Sequence, residues 1–70
     1  MMIMTRGVVK KYDRLKGFGF ITGDDGEDYF VHFSGLRKHL KGKGLRVGQK
    51  VSFDIDRYIK GDRAANVRVD

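Results

Sequence analysis

The sequence predicts an all-β fold, a small five-stranded antiparallel barrel, and three observations lead there. Five short runs have strand composition, Asp/Gly clusters separate them at close spacing, and the chain has no proline to interrupt a ladder. Seventy residues suffice for one small domain, read as spanning 5–70 with residues 1–4 as a short N-terminal extension. A chain of this size buries only about 60% of the surface its unfolded form exposes, so its core must be small. Closing the sheet into a barrel also removes edges that so small a sheet would otherwise leave bare.

The first strand is Val8-Val9-Lys10-Lys11-Tyr12, a β-branched and aromatic run that stops at Asp13 and Arg14. Gly17-Phe18-Gly19-Phe20-Ile21 is the second and Tyr29-Phe30-Val31-His32-Phe33 the third. Between them Gly23-Asp24-Asp25-Gly26 marks a hairpin turn, because Asp and Gly tolerate the backbone angles a tight turn demands. One short helical turn is expected from Ser34, a good N-cap residue, ending before Gly42 and Gly44. Val51-Ser52-Phe53-Asp54-Ile55-Asp56 alternates apolar and polar strictly and is the fourth strand. Lys60-Gly61-Asp62 turns the chain, and Ala65-Asn66-Val67-Arg68-Val69 alternates again as the fifth.

Period two assigns faces. Phe18 and Phe20 share one side of the second strand, with Gly19 and Ile21 on the other. In the third, Phe30 and His32 go together, opposite Tyr29, Val31 and Phe33, the set expected to be core. Val9, Ile21, Val31, Val51, Phe53, Ile55 and Val67 then fill the interior, which leaves Phe18, Phe20, Phe30 and His32 outside, beside lysines. A histidine seldom points into so small a core without a partner, and its face therefore reads as the outer one. Gly17 and Gly19 are expected to leave this ring cluster uncrowded. Burial of Phe18 and Phe20 in the core or under a loop is the competing assignment.

Fifteen Lys and Arg against nine Asp and Glu give a net charge of +6, which favours polyanionic partners. The charge is segregated: Asp24, Asp25, Glu27 and Asp28 cluster, whereas Arg37, Lys38, Lys41, Lys43 and Arg46 lie in a stretch with no acid. Flat rings among cations suit unpaired nucleobases and their phosphates. The competing function is a barrel that docks a peptide on its aromatic face. Catalysis and metal binding are not expected. The chain has no cysteine, the acids lack calcium-loop spacing, His32 and His39 have no ligand or nucleophile partners, and no phosphate-binding loop is present. No cofactor is expected either. No apolar run approaches the roughly 18 residues of a membrane span, and Met1-Met2-Ile3-Met4 is too short for a signal peptide's hydrophobic region. A cytoplasmic monomer with no membrane partner is the expectation, with Met1, Met2 and Met4 as alternative starts and Thr5 opening the fold.

Lys16-Gly17-Phe18-Gly19-Phe20-Ile21 followed by Asp28-Tyr29-Phe30-Val31-His32-Phe33-Ser34 resembles the paired ribonucleoprotein-type motifs of the bacterial cold-shock protein family. Gly7-Val8-Val9-Lys10, Val47-Gly48-Gln49-Lys50-Val51-Ser52-Phe53 and Ala64-Ala65-Asn66-Val67 extend the likeness over nearly the whole chain. The resemblance implies a Greek-key barrel of the OB-fold that binds single-stranded RNA and DNA as an RNA chaperone of the stress response. It carries over Lys10, Lys16, Phe18, Phe20, Phe30, His32 and Phe33 as binding positions, and Asp28 as a base-contacting acid. Phe33 conflicts with strict alternation, which a strand end or bulge there would resolve.

The departures bear on the site. Lys11 and Tyr12 stand where the family usually has tryptophan and phenylalanine, so one stacking ring is missing. Tyr12 is either a substitute stacking face or a ring packed at the barrel rim, and Lys11 either a contact or a solvated charge. The 37–44 loop has no aromatic residue and is cationic instead, and Gly61-Asp62-Arg63 replaces the usual Gly-Pro-Gln. The expected nucleic-acid-binding set therefore adds Lys11, Tyr12, Arg37, Lys38, Lys41, Lys43 and Arg63, with binding shifted from stacking toward phosphate contacts.

Overall fold

The computed structural model describes residues 4–70, so Met1, Met2 and Ile3, and with them most of the expected N-terminal extension, lie outside the described residues. The strands are β1 (Thr5–Asp13), β2 (Phe18–Gly23), β3 (Asp28–His32), β4 (Lys50–Asp56) and β5 (Arg63–Val69), closed into a barrel in the order β1-β2-β3-β5-β4. Directions around a closed ring can alternate throughout only when the number of strands is even. With five, at least one neighbouring pair must run parallel, and here it is β3 with β5; the other four pairings are antiparallel.

Val9, Ile21, Val31, Val51, Phe53 and Val67, each at most 1% exposed, fill the interior as expected. Tyr29 and Ala64 join them from the strands, and Leu36, Leu40 and Leu45 from the β3–β4 connection. The Tyr29 ring tilts against Phe53 at 5.2 Å between centroids. Its hydroxyl donates to Asp25 Oδ2 at 2.5 Å, which ties the β2–β3 turn to the core.

Two irregularities break strict alternation. In β1 the register steps from Val9 opposite Ile21 to Lys11 opposite Phe20, which leaves Lys10 as an extra residue. Everything after it changes face. In β5 the register passes from Arg68 opposite Ser52 to Ala65 opposite Asp54, so Asn66 and Val67 share the place facing Phe53. Asn66 takes the left-handed conformation at φ 49°, which Asn tolerates better than most residues, and its amide donates to Asp54 at 2.9 Å. In consequence Ala64, not Ala65, faces inward with Val67, while Val69, opposite Val51 at the end of the strand, is 36% exposed. Ile55, expected in the core, is only partly buried against it.

The single turn expected from Ser34 is instead two 3-10 turns, Phe33–Gly35 and Lys38–Leu40. His32 caps the first: the Ser34 N–H donates to His32 Nδ1 at 3.3 Å. Leu36 then extends and bridges in parallel to Val67, which separates the two turns.

Candidate functional site

The outer face of the sheet carries one cross-strand row. Lys11 faces Phe20, Phe20 faces Phe30, and Phe30 faces Arg63, across four neighbouring strands. Three inter-strand spacings of about 4.8 Å give the row a length of roughly 14 Å. Its members touch in sequence. Lys11 Nζ lies 5.6 Å from the Phe20 centroid, Phe20 meets Phe30 edge-on at 5.7 Å, and the Arg63 guanidinium lies 5.5 Å over Phe30. A second row sets Phe18 opposite His32, and Phe18 stacks on Phe30 at 5.7 Å with an interplanar angle of 30°. Phe18, Phe20, Phe30 and His32 are therefore half-buried on the outside, with Ile21, Tyr29 and Val31 beneath them.

Phe33 follows His32 in the first 3-10 turn, where the strand's alternation no longer applies, and it is 45% exposed. This corrects its assignment to the core by periodicity. Its N–H donates to the Gly17 carbonyl at 2.8 Å and its ring lies against Gly17, where an added Cβ would meet Phe33 Cδ1 at 3.1 Å. Gly17, at φ +76°, thus makes room for Phe33 while turning the β1–β2 hairpin. Asp13 fixes that hairpin by accepting the N–H groups of Leu15 and Lys16 at 2.9 and 3.0 Å, which brings Lys16 beside Phe33. Gly19 has a different task from the one expected: it faces inward, and an added Cβ would collide with the Lys11 carbonyl and approach Tyr12 Cα to 2.6 Å. Close passage of β1 over β2 needs a residue without a side chain here.

Tyr12 lies opposite Gly19, not on the ring face. The extra residue at Lys10 turns it inward, where it packs partly buried against the core, and burial raises its phenol pKa. It sits at the barrel rim, where it also lines the concavity beyond Phe33, while Lys11 occupies the end of the cross-strand row.

Asp28 is already engaged. Oδ2 accepts from Lys10 Nζ at 2.8 Å and Oδ1 from the Thr22 hydroxyl at 2.9 Å, and the Lys10 bond, then the Thr22 bond, holds its carboxyl below the usual range. His32 Nδ1 is engaged by Ser34, at 2.8 Å from its hydroxyl and 3.3 Å from its N–H, and these contacts leave Nε2 for other partners.

Beyond Phe33 a concavity of about 670 Å³ is lined by Arg14, Lys16, Phe33, Lys41 and Gly44. A second of about 480 Å³ continues it along Arg14, Lys43, Arg46 and Gln49. Lys41 and Lys43 therefore extend the platform as a cationic groove. Arg37 and Lys38 are exposed at the start of the second 3-10 turn and line neither concavity. Arg14, which carries no motif, links the two; the signal for it was its place in a hairpin turn two residues before Lys16. No cluster of three metal-ligating side chains occurs among the described residues.

A model of the "cold-shock" DNA-binding domain matches residues 5–69. Cold shock protein CspC of Bacillus subtilis is 48% identical over 65 residues, covering 93% of this chain and 97% of its own. Cold shock protein 1 of Lactiplantibacillus plantarum is 50% identical over 64 residues, covering 91% and 96%. The cold shock-like protein of Thermotoga maritima is 49% identical over 65 residues, covering 91% and 96%. Among solved structures, silver(I)-bound CusF is similar with a TM-score of 0.65 over 100% of this chain and 99% of that one, at 16% identity, a likeness of fold alone.

Proposed function

Because the chain belongs to the cold-shock domain family it binds single-stranded nucleic acid, and we propose that it does so through the outward row on β1, β2, β3 and β5. Bases of an unpaired strand stack on Phe18, Phe20 and Phe30, while Lys11, Lys16 and Arg63 lie at the row's ends and flank to meet phosphates. His32 Nε2 and Asp28 offer polar contacts to base edges, the latter by giving up Lys10 or Thr22. Phe33 leads the strand into the groove of Lys41 and Lys43. No bond is made or broken. Acting as a monomer in the cytoplasm, the protein holds RNA unpaired and so serves as an RNA chaperone.

The ring row carries this proposal, because only an unpaired base has a face free to lie on it; duplex bases are covered by their neighbours. Each stacked base contributes about 1–3 kcal/mol, and the cations add a salt-dependent share. Peptide docking is not favoured, since cations at Lys11 and Arg63 lie over the rings of the row. Anisotropy titration of labelled hexathymidine and of its duplex tests the proposal. Preference for the single strand, weakened by Phe30→Ala, is expected; equal binding of duplex, or no effect of Phe30→Ala, sinks it.

A further inference from the structure

Tyr58 lies in the β4–β5 connection, outside every motif, and half of its surface is open to solvent. The loop holds it in place. Arg57 pairs with Asp62 at 3.2 Å across the loop's ends, and the Gly61 N–H donates to the Tyr58 carbonyl at 3.1 Å. The Phe30 N–H donates to the Asp62 carbonyl at 3.3 Å, which fastens the loop to β3 at the centre of the platform. The Arg63 guanidinium lies 4.4 Å from the Tyr58 centroid while also lying 5.5 Å over Phe30. Phe20, Phe30, Arg63 and Tyr58 thus form one continuous series. Concavities flank Arg63 on both sides: about 440 Å³ lined by Phe20, Phe30 and Lys60, and about 180 Å³ lined by His32, Tyr58 and Asn66.

We infer that Tyr58 is a further base-stacking position, taking one unpaired nucleobase beyond those on Phe18, Phe20 and Phe30, with Lys60 and Arg63 placed for the adjoining phosphates. The inference rests on the nucleic-acid reading of the ring row. A ring already held by its loop loses little freedom on stacking, and every base offers a π-face, so the position tolerates any sequence. It extends the platform at the β5 end, opposite the end where Lys11 and the inward Tyr12 leave it without a ring. The alternative role is purely structural, with Tyr58 serving only to hold Arg63 over Phe30.

Labelled heptathymidine titrated by anisotropy against the full chain separates the two. Tyr58→Ala is expected to weaken binding roughly five- to 100-fold with an unchanged salt slope, since stacking releases no counterion. Tyr58→Trp should bind as tightly as the parent and, the chain having no other tryptophan, its indole emission should be quenched at saturation. Parent-like affinity of Tyr58→Ala overturns the inference. So does a loss accompanied by a salt slope shallower by about 0.7, with the indole unquenched, which is the signature of a displaced Arg63. Phe30→Ala is measured alongside: weakening there while Tyr58→Ala binds normally removes only this inference, whereas an unaffected Phe30→Ala removes the reading beneath it.

Discussion

Replacing Lys11 by tryptophan exchanges a cation for a ring at the end of the cross-strand row, and the two effects separate by salt. Lys11 points outward because of the extra residue at Lys10, and its Nζ already lies 5.6 Å from the Phe20 centroid, so an indole there continues the row. Stacking one more base contributes about 1–3 kcal/mol, largely independent of salt. Losing one phosphate contact on a single strand removes a dependence of about −0.7 in the salt slope, a factor of roughly 5 at 0.1 M salt, or about 1 kcal/mol. The net gain at that salt is therefore only ~0–2 kcal/mol. The ratio of variant to parent affinity should then climb about fivefold for each tenfold rise in salt, as the lysine's share disappears. Anisotropy titration of hexathymidine across a salt series measures the ratio, and quenching of the single indole reports contact directly. A ratio flat with salt would show that Lys11 meets no phosphate. A ratio below one throughout, with unquenched emission, would show that no base reaches this position.

The groove beyond Phe33 predicts that Lys41→Ala with Lys43→Ala lowers the salt slope for a long oligothymidine by about 1.4, twice the single-contact value; an unaltered slope puts the strand elsewhere. Gly19→Ala forces a Cβ against the β1 backbone, which has no flexible end to yield, and is expected to cost about 1–3 kcal/mol in denaturant unfolding; an unshifted midpoint refutes the tight crossing. The Tyr29 hydroxyl is pushed up to about 12, chiefly by its hydrogen bond to Asp25, against an unfolded value near 10. A raised folded pKa stabilises fully below the unfolded one, so this contribution is lost as pH climbs from about 10 toward 12. The stability difference between parent and Tyr29→Phe should shrink over that window; a constant difference contradicts it.

The ring face of β2 and β3 was legible because both strands are regular: with side chains alternating, one histidine sharing a face with Phe30 orients the whole set. β1 was not. Alternation carried past Val9 would put Tyr12 outward and Lys11 inward, and only the pairing with β2 reveals that one extra residue reverses both. The same holds for β5, where the left-handed Asn66 moves the inward set to Ala64 and Val67, a shift that the apolar pattern conceals. Cold-shock family membership was legible from motifs, yet the motifs say nothing of Arg14 or Tyr58. Those two lie beside the ring row and its groove because of turns, whose geometry depends on the strands they join and not on local composition.

The parallel pairing that an odd ring of strands demands is also its shortest seam: β3 and β5 register only at Phe30 with Arg63 and Val31 with Ala64. The outward one of those two pairs, Phe30 with Arg63, belongs to the cross-strand row proposed to bind. A nucleic-acid strand laid along the row therefore bridges the place where the cylinder is least zipped, as a clasp closes the gap in a collar. On the proposed path, ligand contacts across Phe30 and Arg63 would favour the closed barrel over one open at this seam, since a ligand that binds only the closed form stabilises it.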